Sequence, residues 1–199
     1  MPMARPKTYD REEAIRNACE AFWEHGYQAL GVRELETLTG LSKTAIRSEF
    51  GGKEGLYLEA LALYSDAAIS SVLAPLKEGG MSQIIDFLEG LVDQGSITSS
   101  PWGCLVVNTG IENARIQSDK LHAATQSYWD ALESHFAQAL DNACARHEIA
   151  PDTDTAALAK GLVTAVMGVH AKNRSARAQT GGHALVALMV TYLDSLRTV

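Results

Sequence analysis

Lys43, Thr44 and Arg47 follow Ser42 closely, on the same side of what reads as a short helix. Lysine and arginine can pair with phosphate or with a guanine edge, and threonine can hydrogen-bond a base or touch a thymine methyl. Arg33 adds a cation just upstream, and Tyr27 is either core packing or a phosphate-facing hydroxyl. Each charge also has a plainer reading as a solvated surface group. A second chemistry is possible at Cys104, which follows Pro101, Trp102 and Gly103 where a helix is expected to begin. Helix N-termini stabilise the thiolate, the reactive form of cysteine. The alternative is a small buried hydrophobe. Trp102, Asn108, Glu112, Tyr128, Met167 and His170 either line a pocket in this half or are core residues at helical spacing.

The elements that must carry these residues read as helices throughout. There is no Asn-Gly or Asp-Gly hairpin turn and no sustained alternation of apolar and polar residues. Asp10 with Glu13 resembles a capping box, and Ile15, Ala18, Cys19 and Phe22 then recur on one helical face until Gly26. A short helix over 32–39, with Val32, Leu35 and Leu38 inward, ends at Gly40. Ser42 caps another over 43–50, with Ala45, Ile46 and Phe50 inward, closed by Gly51-Gly52. Two short helices joined by a tight Gly-containing turn form a helix-turn-helix. A longer helix from Lys53 toward Leu73 buries Leu56, Ala60, Leu63, Ala67 and Val72, with Pro75 and Gly79-Gly80 closing it. Later helices are expected over 81–94, 104–116, 119–147, 154–171 and 182–197. The fold class is all-α, with about nine helices.

Charge divides the chain. Residues 1–57 hold 8 Lys/Arg and 9 Asp/Glu, whereas 58–199 hold 9 and 15, so most of the net −7 lies in the second part. This places a boundary at 57/58: a three-helix N-terminal domain over 1–57 and a larger helical domain over 58–199. A local basic face suffices to bind DNA, because phosphates are felt only within about 10 Å. Apolar runs such as 184–190 fall short of the ~20 residues of a membrane span. The N-terminal segment lacks the apolar core of a signal peptide. Three cysteines with distant spacings match neither a disulfide framework nor a zinc site, which fits the reducing cytoplasm. Six scattered histidines show no metal spacing, and no cofactor is expected.

The order Phe22-Trp23-Glu24-His25-Gly26-Tyr27, Val32-Arg33-Glu34-Leu35, Gly40-Leu41-Ser42-Lys43 and Phe50-Gly51-Gly52-Lys53-Glu54-Gly55-Leu56 resembles the N-terminal signature of TetR-family regulators across about residues 8–64. The resemblance implies a homodimer whose second short helix reads a palindromic double-stranded DNA operator. It makes Lys53 a phosphate contact, with the arm Arg5, Lys7 and Arg11 adding backbone or minor-groove contacts. It also implies a C-terminal domain that binds a small-molecule effector and dimerises. Gly161, Val163, Ala165, Val166, Gly168 and Val169, with Leu185, Leu188, Met189, Tyr192 and Leu196, suit a two-fold four-helix interface. The chain departs from the family pattern at Gly31, Thr44, Arg47 and Glu49, where Ser or Thr, Gly, Tyr, and an aromatic or His are usual. An outward Glu49 would repel phosphate. The segment Gly103-Cys104-Leu105 with Asn108 and Glu112 is similar to the NemR-like subgroup, whose matching cysteine senses electrophiles and chlorine oxidants.

The reading that follows is a DNA-binding repressor released by an effector, or by electrophilic modification of Cys104. A helical binding module that has lost DNA affinity is the alternative. A thiol-dependent enzyme is the remaining one, without a Cys–His or Ser–His–Asp arrangement or a Gly-rich phosphate loop to support it.

Overall fold

The computed structural model describes residues 9–96 and 98–198, and Arg5 and Lys7 of the expected basic arm lie outside them. Regular structure among the described residues is helical, apart from one isolated bridge between Ile149 and Arg197. In order these are α1 (Arg11–His25), α2 (Val32–Thr39), α3 (Lys43–Phe50), α4 (Lys53–Ala67), a π-helical turn (Ala68–Leu73), α5 (Ala74–Glu78), α6 (Met81–Gly90), α7 (Leu105–Ile116), α8 (Asp119–Ala145), α9 (Thr155–Ala176) and α10 (His183–Ser195). From α4 to α5 the helix is continuous over Lys53–Glu78, which makes nine helices among the described residues. The chain divides into two compact units, Met1–Tyr64 and Ser65–Val199, so the division falls within that continuous helix.

In the first unit the Asp10 carboxylate accepts from Glu12 N and Glu13 N and so starts α1. Ala14, Ile15, Ala18, Cys19, Ala21 and Phe22 form the helix's buried face. Phe22 meets Tyr57 edge-on at 4.6 Å, joining α1 to α4. On α2, Leu35 and Thr39 are buried, whereas Leu38, expected inward, is 43% exposed. Thr39 can replace it because its hydroxyl is satisfied twice: it donates to Leu35 O at 2.6 Å and accepts from Leu41 N at 3.2 Å. On α4 the buried face is Leu56, Tyr57, Ala60 and Leu61, and the expected Leu63 and Ala67 lie outward.

Pro75 does not end the fourth helix. A proline inside an α-helix lacks a donor and crowds the carbonyl four residues back. Here the wider π turn over Ala68–Leu73 immediately precedes it and relieves that crowding, so the helix runs on to Glu78. This segment is long and apolar enough to cross a membrane by length and composition. Six of its apolar residues are buried, Leu56, Tyr57, Ala60 and Leu61 in one unit and Leu73 and Leu76 in the other, while Leu63 and Ala67 are exposed.

The second unit packs α8 against α9 and α5, α7 against both α8 and α9, and α10 against α6 and α9. Its core includes Leu76, Ile84, Leu88, Leu132, Phe136, Leu140, Leu162, Val166 and Leu193. The side chain of Asn173, fully buried, donates to Leu91 O and accepts from Gly182 N, fixing two loops to α9. The residues expected at a two-fold interface split. Val163, Val166 and Val169 are in this core, while Gly161, Gly168, Leu188 (63% exposed) and Tyr192 (49% exposed) face outward.

Candidate nucleic-acid interface

The recognition element is built by its caps. Gly31 has no side chain to cap α2, so the Glu34 carboxylate reaches back to accept from Gly31 N at 2.6 Å. Gly40 takes a left-handed conformation (φ 71°), turning the chain after α2. Ser42 Oγ then accepts from Ala45 N at 3.1 Å and opens α3. Glu36 of α2 accepts from Lys43 N at 2.6 Å. One carboxylate thus fixes the start of α3 to α2, a role missed in the sequence because only folding brings Glu36 to Lys43.

On this frame Lys43, Thr44 and Arg47 are exposed, and so are Arg33 on α2 and Ser42 at the cap. Ile46 and Phe50 hold the opposite face of α3 in the core, while Ala45, expected inward, is half-buried. Tyr27 and Lys53 are brought together, the Lys53 ammonium lying 4.3 Å over the Tyr27 ring. Tyr27 also packs against Tyr57 at 4.8 Å, and burial, with the charge of Glu54, raises the pKa of its hydroxyl. Tyr27 therefore combines core packing with the positioning of Lys53.

Two charges behave differently from expectation. Arg11 does not extend as part of a basic arm. Both Glu59 carboxylate oxygens accept from its guanidinium at 2.6 Å, and it lies 5.0 Å over the Phe50 ring. Glu49 is half-buried, and the hydroxyl of Tyr9 is pushed up to about 12 by burial and by that carboxylate. At the α3–α4 junction Gly51 and Gly52 have φ of 74° and 114°. Gly55 is fixed by space, since a Cβ there would lie 1.6 Å from Phe50 O.

The second candidate region surrounds the first turn of α7. Cys104 is the N-cap residue of α7 and is buried, rather than lying within the first turn. Gly103 (φ 72°) approaches α9 closely, with a Cβ there falling 2.7 Å from His170 O. Trp102 O accepts from Asn108 Nδ2 and from Arg174 Nη1, each at 3.0 Å. Arg174 thus brings a positive charge from α9 to this turn. The Tyr128 hydroxyl on α8 is raised by burial and by the nearby Cys104. Asn108 Oδ1 and His170 Nδ1 are buried without a hydrogen-bond partner among the described residues. Burial alone lowers the pKa of His170 to about 4. Glu112 is half-buried one turn further along α7, and Met167 lies on the outward face of α9, 36% exposed, away from the expected lining. Cys19 is pushed up to about 11, chiefly by burial, and Cys144 is raised by burial and by Asp141 and Asp152. Among the described residues no three metal-ligating side chains gather.

Residues 14–60 match "Bacterial regulatory proteins, tetR family", and residues 80–188 match "Tetracyclin repressor-like, C-terminal domain". The chain belongs to the TetR family. The TetR-family chain is 29% identical to the HTH-type transcriptional repressor ComR of Escherichia coli K12, across 83% of this chain and 80% of that protein. Its fold matches the reduced form of E. coli NemR with a TM-score of 0.79 at 16% identity, covering 95% and 97% of the two chains. It also matches a cysteine mutant of the TetR-family regulator CifR bound to 26-bp operator DNA, with a TM-score of 0.76 at 21% identity, covering 98% and 100%. As a family member this protein is a DNA-binding transcription regulator, with α2 and α3 as its helix-turn-helix.

Proposed function

We propose that this regulator is a homodimeric, cytoplasmic repressor that reads a palindromic operator through α3 and releases it in response to an effector. The observation that carries the DNA-reading part is the placement of Lys43, Thr44 and Arg47, all exposed on α3 opposite the buried Ile46 and Phe50. Thr44 and Arg47 serve base edges, Lys43, Arg33 and Lys53 serve phosphate, and Ser42 fixes the helix start. The relative ComR is a transcriptional repressor, which supports repression over activation. The outward Gly161, Gly168, Met167, Leu188 and Tyr192 of α9 and α10 supply the apolar surface for a second copy.

Release follows from population shift, with the effector binding a form that fits the operator less well. Cys104 is the candidate covalent trigger: its thiolate would add to an electrophilic carbon, the proton passing to the adduct. Support comes from its place as the N-cap residue of α7, one helical turn before Asn108, whose Oδ1 is buried and unpartnered among the described residues. The test begins by selecting operators from fragmented genomic DNA. Fluorescence anisotropy then follows binding to the best site, with and without N-ethylmaleimide. Release of wild type but not of Cys104→Ser supports the covalent trigger. Equal release of both moves the trigger away from Cys104, and no specific binding overturns the repressor reading.

A further inference from the structure

A cavity of about 330 Å³ opens in the second unit, lined by Ser71, Val72, Pro75, Leu76, Gln83, Asp86, Phe87, Gly90, Ser96 and Thr98. The volume is in the range of small-ligand sites. Val72, Leu76 and Phe87 form an apolar wall. Asp86 is the only charged lining residue, is exposed, and makes no hydrogen bond or ion pair among the described residues. The other hydroxyls on that side are already committed, since Thr98 Oγ1 donates to Gly90 O at 2.7 Å and lies 2.6 Å from Ser96 Oγ. An apolar wall with one open carboxylate fits an amphipathic cation.

Ser71 and Val72 belong to the cavity and also to the π turn. Serine hydroxyls support that turn: Ser70 donates to Asp66 O at 2.7 Å, and Ser71 donates to Ala67 O. A π turn carries about one residue more than an α turn. Its conversion to α geometry would rotate the rest of the helix by about 100° and shift it by about 1.5 Å. The π turn lies within the continuous helix Lys53–Glu78.

We propose that this cavity binds a small aromatic amine as its protonated cation, with the ammonium on Asp86 and the ring against Val72 and Phe87, and that occupancy holds the π turn in its present register. The amine site stands on the cavity itself, and its consequence for operator release rests on the effector-responsive reading above.

The probes are 1-naphthylmethylamine and 1-naphthylmethanol, which differ in the charged group, followed by naphthalene fluorescence anisotropy on the full chain. The amine should bind about tenfold tighter than the alcohol, the range of one charge-assisted hydrogen bond. Asp86→Asn should remove that preference while leaving the alcohol's affinity unchanged. Hydrogen exchange at Ala68–Leu73 should slow with the amine in wild type and not in Asp86→Asn. Equal binding of amine and alcohol, or a preference that survives Asp86→Asn, would overturn the site. Amine binding that leaves exchange at Ala68–Leu73 unchanged would overturn the link to the π turn. Operator binding without amine is scored separately, so loss of the amine preference in protein that still binds its operator counts against this proposal alone.

Discussion

The turns that hold α3 and the turn that opens α7 solve the same problem in different ways. Around α3 the polar groups at the helix ends are tied locally, Gly31 N to Glu34, Lys43 N to Glu36 and Ala45 N to Ser42. Around α7 the carbonyl of Trp102 is doubly satisfied, yet Asn108 Oδ1 and His170 Nδ1 remain buried and unpartnered. A buried polar atom without a partner costs about 1–3 kcal/mol. The first arrangement suits a rigid surface that must present the same side chains at every encounter. The second suits a region that gains stability when something else supplies the missing bonds.

The largest effect that would break this contrast is expected at Gly55. A Cβ placed 1.6 Å from Phe50 O forces α4 away from α3, so Gly55→Ala should destabilise the first unit by at least about 3 kcal/mol and abolish operator binding. Urea unfolding followed by circular dichroism checks this, and an unchanged midpoint would mean the junction is softer than its geometry implies.

His170 sharpens the other side. Its folded pKa of about 4 lies below its ordinary 6.5, so the unfolded chain binds the extra proton first. Stability is therefore full above about pH 6.5 and falls as the pH drops toward 4, by about 3 kcal/mol if this group acts alone. His170→Gln should flatten that part of the pH–stability curve. An unaltered slope would place the acid sensitivity elsewhere.

Lys53→Ala should weaken operator binding about tenfold and lower the salt slope by about one, uniformly across operator sequences. Fluorescence anisotropy over a salt series measures both. The smallest expected effect is that of Glu36→Gln, which exchanges a charge-assisted cap on Lys43 N for a neutral one at a cost of about 1 kcal/mol. Thermal unfolding of the variant reads it, and a loss far above this would give Glu36 a larger part than capping.

The contrast also explains what could be read from the sequence. Around α3 the determinants are local: Ser42 caps, Gly40 and Gly51 turn, and Ile46 and Phe50 mark the inner face, all within a few residues of one another. The fold class, the helix-turn-helix and the order of helices were legible for that reason. Leu38 was misread because Thr39, with its hydroxyl bonded on both sides, took the buried place. Arg11 and Glu49 were read as free charges because Glu59 and Tyr9 are brought to them only by folding. The run through Pro75 was only partly legible: Gly79-Gly80 marked its end, but a π turn has no simple apolar period. Arg174 reaches Trp102 across 72 positions of sequence, a pairing that no spacing rule announces.

The central claim is that α3 reads DNA through its outward cations. The most direct test is the affinity of wild type and of the Lys43→Ala/Arg47→Ala pair for a selected palindromic operator, and for scrambled DNA, across a salt series. The account predicts a loss of about 100-fold on the operator, a much smaller loss on scrambled DNA and a shallower salt slope, with unfolding unchanged because both side chains are exposed. Equal operator affinity for the two proteins would contradict it.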